Sequence, residues 1–263
     1  MRWPMCSSSP IVPNEAPVSE KWLAARVVEN RHWSKALFSL RVEGAPLAFE
    51  AGQFVRIALD IAGERVARPF SFVNPPADPV HEFYGIVVPE GPLSPLLAQL
   101  RVGETLYVAR NPAGFLVLSE LPEAESLWLM STGTGIAPFL SILRTEAPWK
   151  RYRNVVLVHA VRHAEELVYR EMIEVAAQAG NLKYVSFVSR EAAPGSLAGR
   201  IPAAIGDGRL EAAAGVRLAA ESSQVMLCGN PQMLRDATAA LVERGMRKHR
   251  RRNPGQISVE SFW

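Results

Sequence analysis

Cysteine is nearly missing from this chain: Cys6 and Cys228 are the two among 263 residues. Two thiols cannot build a disulfide framework, which fits a reducing compartment, and cannot ligate an iron–sulfur cluster that needs four. Long apolar runs are missing too. No stretch reaches the ~18 residues a membrane helix requires, and no apolar core segment follows Arg2. Neither a membrane span nor a signal peptide is expected, and the expected location is the cytoplasm. Strong charge of either sign is lacking as well. The formal net charge is +3, which mildly favours acidic partners without requiring nucleic acid. There is no internal repeat, and no residue set suggests a metal site. What remains is ordinary: 48% hydrophobic and 21% charged residues, the composition of a globular protein long enough for two domains.

Residues 1–20 read as a tail, because Ser7-Ser8-Ser9-Pro10 and further prolines leave little scope for regular structure. From Trp22 the texture changes to short β-type runs near 22–30, 36–43, 53–59, 66–73 and 82–88, broken at Gly44-Ala45-Pro46 and Ala62-Gly63-Glu64. Such close spacing predicts an antiparallel barrel. A short helix over Leu93–Leu100 and a strand near 105–109 follow. At Glu125 the pattern switches again. Ser126–Ser131 is almost continuously apolar, the pattern of a parallel strand buried on both faces. Helix over Phe139–Leu143, strand over Val155–Ala160, helix over Glu165–Ala179, strand over Tyr184–Val188, strand over Val225–Cys228 and helix from Pro231 to about Lys248 complete the alternation. That order predicts a doubly wound sheet.

Three stretches point to a ligand. Arg68-Pro69-Phe70-Ser71 ends a β run and offers a cation, a ring and a hydroxyl, the set a flat, anionic, partly aromatic ligand needs; an amphipathic strand with one exposed arginine is the alternative. Ser131-Thr132-Gly133-Thr134-Gly135-Ile136-Ala137-Pro138 lies between a buried strand and a helix. Glycines there let the backbone approach a pyrophosphate at a helix N-terminus. Pro138 stands where the usual third glycine of such a turn would be. Cys228-Gly229-Asn230-Pro231 makes a second glycine turn at a strand C-terminus, the edge where open α/β sheets bind ligands. There Cys228 would point its thiol into the crevice, or else serve as a small core residue.

From about Trp22 to Trp263 the chain resembles the bacterial ferredoxin/flavodoxin–NADP+ reductases. The matches fall in the family's order: Arg68-Pro69-Phe70-Ser71, Gly91-Pro92-Leu93-Ser94, Gly133-Thr134-Gly135-Ile136-Ala137-Pro138, Cys228-Gly229-Asn230-Pro231 and the aromatic end Phe262-Trp263. Phe70 stands where the family usually has tyrosine, which keeps a stacking surface and loses a phenolic hydrogen bond. The resemblance implies an antiparallel flavin-binding β-barrel over 21–120, then a doubly wound parallel-sheet NADP-binding domain over 121–263 whose C-terminal tail returns to the flavin.

The resemblance also implies roles. FAD would be held by Arg68, Pro69, Phe70, Ser71, Tyr84, Ile86, Val87, Pro92, Leu93, Ser94 and Thr134, with Phe262 on the flavin's second face and Trp263 on the adenine. Arg68 would neutralise phosphate, for which a bidentate guanidinium is suited, and Ser71 would hydrogen-bond near N5. Tyr84, Ile86 and Val88 alternate along one strand and could wall the flavin or fill the barrel equally well. NADP(H) would be held by Thr132, Gly133, Gly135, Cys228, Gly229 and Asn230. Arg162, Arg190 and Arg200 would read the ribose 2′-phosphate, although Glu191 sits beside Arg190 and any one arginine could simply be solvated. The catalytic set would be Ser71, Cys228, Glu260 and Phe262, Glu260 matching a family carboxylate near the nicotinamide.

The implied reaction is hydride transfer between NADP(H) and flavin N5, with single electrons passed to ferredoxin or flavodoxin by a monomeric enzyme. A free-flavin or quinone reductase on the same fold, and a non-catalytic flavin-binding sensor, are the competing readings. The run Arg244–Arg252 carries six cations in nine residues. It could be a solvated helix end or the rim of a docking site for an acidic carrier. It lacks the interleaved aromatics of a nucleic-acid surface.

Overall fold

The computed structural model describes residues 21–179 and 181–261; the expected tail over 1–20 lies outside them. The first half is a six-stranded antiparallel sheet built from β1 (Trp22–His32), β2 (Leu37–Glu43), β3 (Phe54–Ile61), β4 (Glu64–Ser71), β5 (His81–Ile86) and β6 (Thr105–Ala109). One helix, α1 (Ser94–Gln99), precedes β6. The spatial order is β4-β3-β6-β1-β2-β5. The sheet curls until its two edge strands meet: Phe72 bridges Phe83, and the Val73 N–H donates to the Glu82 carbonyl at 2.9 Å. Alternation explains the curl, because inward side chains from every strand fill one interior. Phe38, Leu40, Ile57, Phe72, Phe83, Leu97 and Leu106 are fully buried there. Pro69 is tolerated because β4 is an edge strand, where a missing N–H breaks no second ladder.

The second half is a six-stranded parallel sheet. Its elements are β7 (Ser126–Thr132), α2 (Ala137–Leu143), α3 (Ala147–Arg151), β8 (Asn154–Val161), α4 (Arg170–Ala179), β9 (Leu182–Val188), β10 (Leu197–Ala198), α5 (Ile201–Gly206), α6 (Arg209–Ala214), β11 (Ser223–Gly229), α7 (Pro231–Glu243) and β12 (Ile257–Ser261). The order is β10-β9-β8-β7-β11-β12, with helices covering both faces. The two halves share one core. Leu37, Val73 and Tyr84 of the barrel pack with Ile136, Phe139 and Leu140 at the start of α2, and Ser141 Oγ donates to the Asn74 carbonyl at 2.7 Å. Each such apolar side chain contributes roughly 1.5–3 kcal/mol when buried.

Two predicted helices end differently. The Glu165–Ala179 helix is broken, because Tyr169 takes a left-handed φ of 61° and α4 starts after it. Its ring is wedged between Trp33 and Tyr84, with centroids at 4.8 and 5.3 Å, and its hydroxyl donates to Glu82 at 2.8 Å. Tertiary contact with the barrel overrides helical periodicity here. The last helix stops at Glu243 instead of Lys248. Arg244 turns back to the Glu211 carboxylate and the carbonyls of Ile205 and Leu218, and Gly245 follows with φ +83°. The basic run is therefore a loop leading into β12.

Candidate functional site

β7 and β11 are neighbours, so the turns that leave them lie side by side. They interlock. The Asn230 N–H donates to Thr132 Oγ1 at 2.8 Å, and a Cβ at Gly229, where φ is +132°, would sit 2.3 Å from that same oxygen. A Cβ at Gly135 would sit 2.6 Å from the Cys228 carbonyl oxygen. Only glycine lets both backbones approach this closely. The Asn230 side chain then caps α7, accepting from the N–H groups of Gln232 and Met233.

Above this clamp opens a cleft of about 440 Å³ between the two halves. Thr132, Gly133, Thr134, Gly229 and Asn230 line it, as do Tyr84 and Ile86 from the barrel. Arg162, Arg190 and Arg200 reach the same cleft from the loops after β8 and β9 and from the residue before α5. Among the described residues, none of the three guanidinium groups has a hydrogen-bond or ion-pair partner. Three unneutralised cations converging on one cleft suit a polyanion. Glu191 is occupied elsewhere: it accepts from the Ala164 N–H at 2.6 Å, and that bond with the nearby His163 holds its carboxyl below the usual range. Glu166 and Asp236 also line the cleft, Glu166 accepting from the Arg162 backbone N–H at 2.8 Å.

On the barrel side Arg68 is exposed, with one N–H bonded to the Ala67 carbonyl at 2.8 Å and its other donors without partners among the described residues. Phe70 is half-buried, edge-on to Phe83 and so close to Gly85 that a Cβ there would meet its ring at 3.0 Å. Ser71 is 3% exposed and its hydroxyl has no partner among the described residues. Pro92 and Val88 are exposed, and Ile86 and Val87 are half-buried. Leu93 is the N-cap of α1, and its side chain is 2% exposed and belongs to the barrel core, which leaves its backbone as the part that faces the turn. Ser94 Oγ accepts the Val88 N–H at 2.9 Å, fastening the turn.

Glu260 approaches from the other half. On β12 it pairs with Cys228 of β11, and its Oε2 lies beside Gly114 and Phe54, the residue that pairs with Ser71. Its Oε1 has no partner among the described residues, and burial pushes its carboxyl up to about 7. Cys228 is fully buried under the Gly135 turn and does not line the cleft, which differs from the predicted crevice-facing thiol. Burial, then the Glu260 charge, pushes its thiol well above the ordinary range. Phe262 and Trp263 lie outside the described residues. The Ser71 hydroxyl and Glu260 Oε1 are thus two buried polar atoms without partners among the described residues, and Phe70 and Arg68 flank Ser71 on its strand. An FAD fits this donor set, since its heterocycle offers both donors and acceptors and its phosphates need a cation.

The Glu260 shift has a signed consequence. A carboxyl whose folded pKa exceeds its unfolded value binds more protons when native, so it costs stability as pH rises. That cost begins near pH 4.5, reaches its full value above about pH 7, and amounts to roughly 3 kcal/mol. Glu260→Gln should therefore flatten the pH dependence of the urea midpoint between pH 5 and 8 and stabilise the protein at pH 8. Parallel curves for the two proteins would show that Glu260 is not desolvated.

The structure also brings in residues that the sequence did not single out. Leu37, Ser189, Pro202 and Met233 line the cleft, and His159 lies beneath its floor.

Residues 129–239 match the oxidoreductase NAD-binding domain family. The chain is 48% identical over 245 residues to a flavodoxin/ferredoxin–NADP reductase of Shigella flexneri, covering 92% of this chain and 99% of that relative. It is 35% identical to a ferredoxin–NADP reductase of Pseudomonas aeruginosa, covering 89% of this chain and 95% of that one. Among solved structures it is similar to a ferredoxin NADP+ reductase from Neisseria gonorrhoeae with bound FAD and NADP. The TM-score is 0.89 and the identity 30%, over 93% of this chain and all of that one.

Proposed function

The chain belongs to the flavodoxin/ferredoxin–NADP reductase family, and from that premise we infer an FAD-dependent oxidoreductase that passes electrons between NADP(H) and ferredoxin or flavodoxin. The observation that carries it to this chain is the cleft where both glycine turns, three partnerless arginines and the barrel wall meet. Residues 21–120 would hold the FAD and residues 121–263 the NADP(H). The competing free-flavin or quinone reductase is not favoured by the relatives' names.

Bound FAD supplies the conversion between a two-electron hydride donor and a one-electron carrier. The chain's own residues do the rest. Arg68 and the turn at Gly91–Ser94 would take the flavin phosphates, while Phe70, Tyr84 and Ile86 would wall the ring. The Ser71 hydroxyl, which has no partner among the described residues, can donate to a ligand heteroatom without first breaking another bond. Glu260, with its carboxyl near 7, can hold or release a proton at neutral pH beside Phe54, the strand partner of Ser71. Cys228 stays a neutral thiol and would serve as an apolar support under the nicotinamide side. Arg162, Arg190 and Arg200 would bind the 2′-phosphate, and the Gly133–Thr134 turn the pyrophosphate.

An acidic carrier has a basic surface to meet. Arg251 is paired with Glu120 and Arg244 with Glu211, which leaves Arg247, Lys248, Arg250 and Arg252 exposed in the loop before β12. Among the described residues no helix is long and apolar enough to cross a membrane. The reading places the enzyme in the cytoplasm as a monomer, where NADPH is drawn from the common pool.

The test is carrier dependence. NADPH should reduce ferricyanide with the enzyme alone, and cytochrome c only after ferredoxin or flavodoxin is added. Rapid cytochrome c reduction without a carrier, or a quinone outcompeting both carriers, would overturn the reading.

A further inference from the structure

β8 carries a histidine in the middle of an otherwise aliphatic strand, Val155-Val156-Leu157-Val158-His159-Ala160. Its side chain is completely buried. Alternation puts it on the same face as Val155 and Leu157, the face that α2 covers. Its Nε2 lies 3.1 Å from the Gly133 carbonyl oxygen, and its Nδ1 has no partner among the described residues. Burial lowers its pKa to about 4, so near neutral pH the ring is uncharged. A neutral imidazole has one N–H, and the Gly133 carbonyl can only accept, so that N–H is on Nε2. A buried imidazole whose other nitrogen goes without a partner is a costly way to fill a core site. A leucine would fill it without that cost.

The geometry of the peptide bond says what the cost achieves. In a trans peptide the C=O of one residue and the N–H of the next point in opposite directions. Gly133 sits at the left-handed φ of +54°, which leaves its following peptide without the restraint of a side chain. His159 ties the Gly133 carbonyl downward, into the sheet face. The N–H of Thr134 is then turned upward, toward the cleft that Thr132, Gly133 and Thr134 line. That N–H belongs to the first turn of the helical segment running from Gly133 through α2, where amides have no intrahelical acceptor.

We propose that His159 is a positioning residue that holds the Gly133–Thr134 peptide so that the Thr134 amide faces the coenzyme pyrophosphate. It touches neither coenzyme nor flavin, and acts through one carbonyl. The proposal rests on the reading that this cleft binds NADP(H).

Three variants and two ligands separate it from a structural role. His159→Leu removes the donor and keeps the bulk. His159→Gln restores an N–H at about the distance of Nε2. His159→Asn, which is shorter, does not. NADP+ presents both a 2′-phosphate and a pyrophosphate, whereas adenosine 2′-monophosphate presents the 2′-phosphate alone. With holoenzyme near neutral pH, His159→Leu and His159→Asn should bind NADP+ about tenfold or more weakly, the range for losing one well-aimed hydrogen bond to a charged group. Both should bind adenosine 2′-monophosphate as wild type does. His159→Gln should recover most of the NADP+ affinity, and in turnover the loss should fall on the NADPH KM more than on kcat.

Parallel loss of both ligands in His159→Leu would mean that the histidine supports the fold and not the peptide. Unchanged NADP+ affinity in His159→Leu, or no recovery in His159→Gln, would overturn the proposal while the function stands. If the wild-type holoenzyme binds neither ligand, it is the coenzyme reading that fails, and the positioning role falls with it.

Discussion

Gly135→Ala should abolish measurable NADP+ binding and cost the protein about 3 kcal/mol or more in urea unfolding. The added methyl would lie 2.6 Å from the Cys228 carbonyl oxygen and 2.8 Å from both the Cys228 carbonyl carbon and the Gly229 Cα. All three are backbone atoms of a central strand and its turn, so no side-chain rotation relieves the collision. One of the two turns has to move, and the Asn230-to-Thr132 hydrogen bond goes with it. Effects of this size arise from overpacking and backbone strain, which act together here. Gly206→Ala is the matched control. It closes a helix with nothing within 4 Å of the added carbon, and should be neutral or stabilising by up to about 1 kcal/mol. A Gly135→Ala protein that binds NADP+ within twofold of wild type would remove the interlocked turns from the coenzyme site.

Replacing Arg190 and Arg200 together should convert an NADPH enzyme into one that hardly distinguishes NADPH from NADH. Each charged contact to a phosphate contributes roughly 1.5–3 kcal/mol. Losing one should raise the NADPH KM by about one order of magnitude, and losing both by about two or more, with NADH kinetics nearly unchanged. The expectation rests on three guanidinium groups that face one cleft without partners among the described residues. Because both arginines would meet one phosphate, their losses are coupled, and two orders of magnitude is the additive reference against which the double variant is read. Equal loss with NADPH and NADH would show that these side chains serve the cleft's shape and read no phosphate.

Most of the frame was readable from the residues because two periodicities dominate it. The antiparallel half alternates, and the parallel strands at Ser126 and Val155 are too apolar to be anything but buried on both faces. The glycine turns were readable for another reason: at a strand–helix junction few other residues permit such close backbone contact. What escaped notice depends on tertiary partners. β12 is five residues long and follows a strongly basic loop, so nothing local marks it; its register with β11 is what makes it a strand. The break at Tyr169 is invisible until Trp33, Tyr84 and Glu82 are in place to hold the ring. His159 reads from sequence as a polar interruption in a hydrophobic strand, because the carbonyl it bonds lies 26 residues away.

The bond between Asn230 and Thr132 joins positions 98 residues apart. Contacts of that span form only after the intervening chain has collapsed, because closing so long a loop costs entropy before anything is gained in return. During synthesis the strand bearing Thr132 leaves the ribosome long before the turn bearing Asn230, and β8, β9, β10 and β11 emerge between them. A half-made chain can therefore hold a recognisable barrel while the second glycine turn has yet to be made. The cleft between the two turns closes only once β11 is in place, so a ligand held there would report that Asn230 has found Thr132.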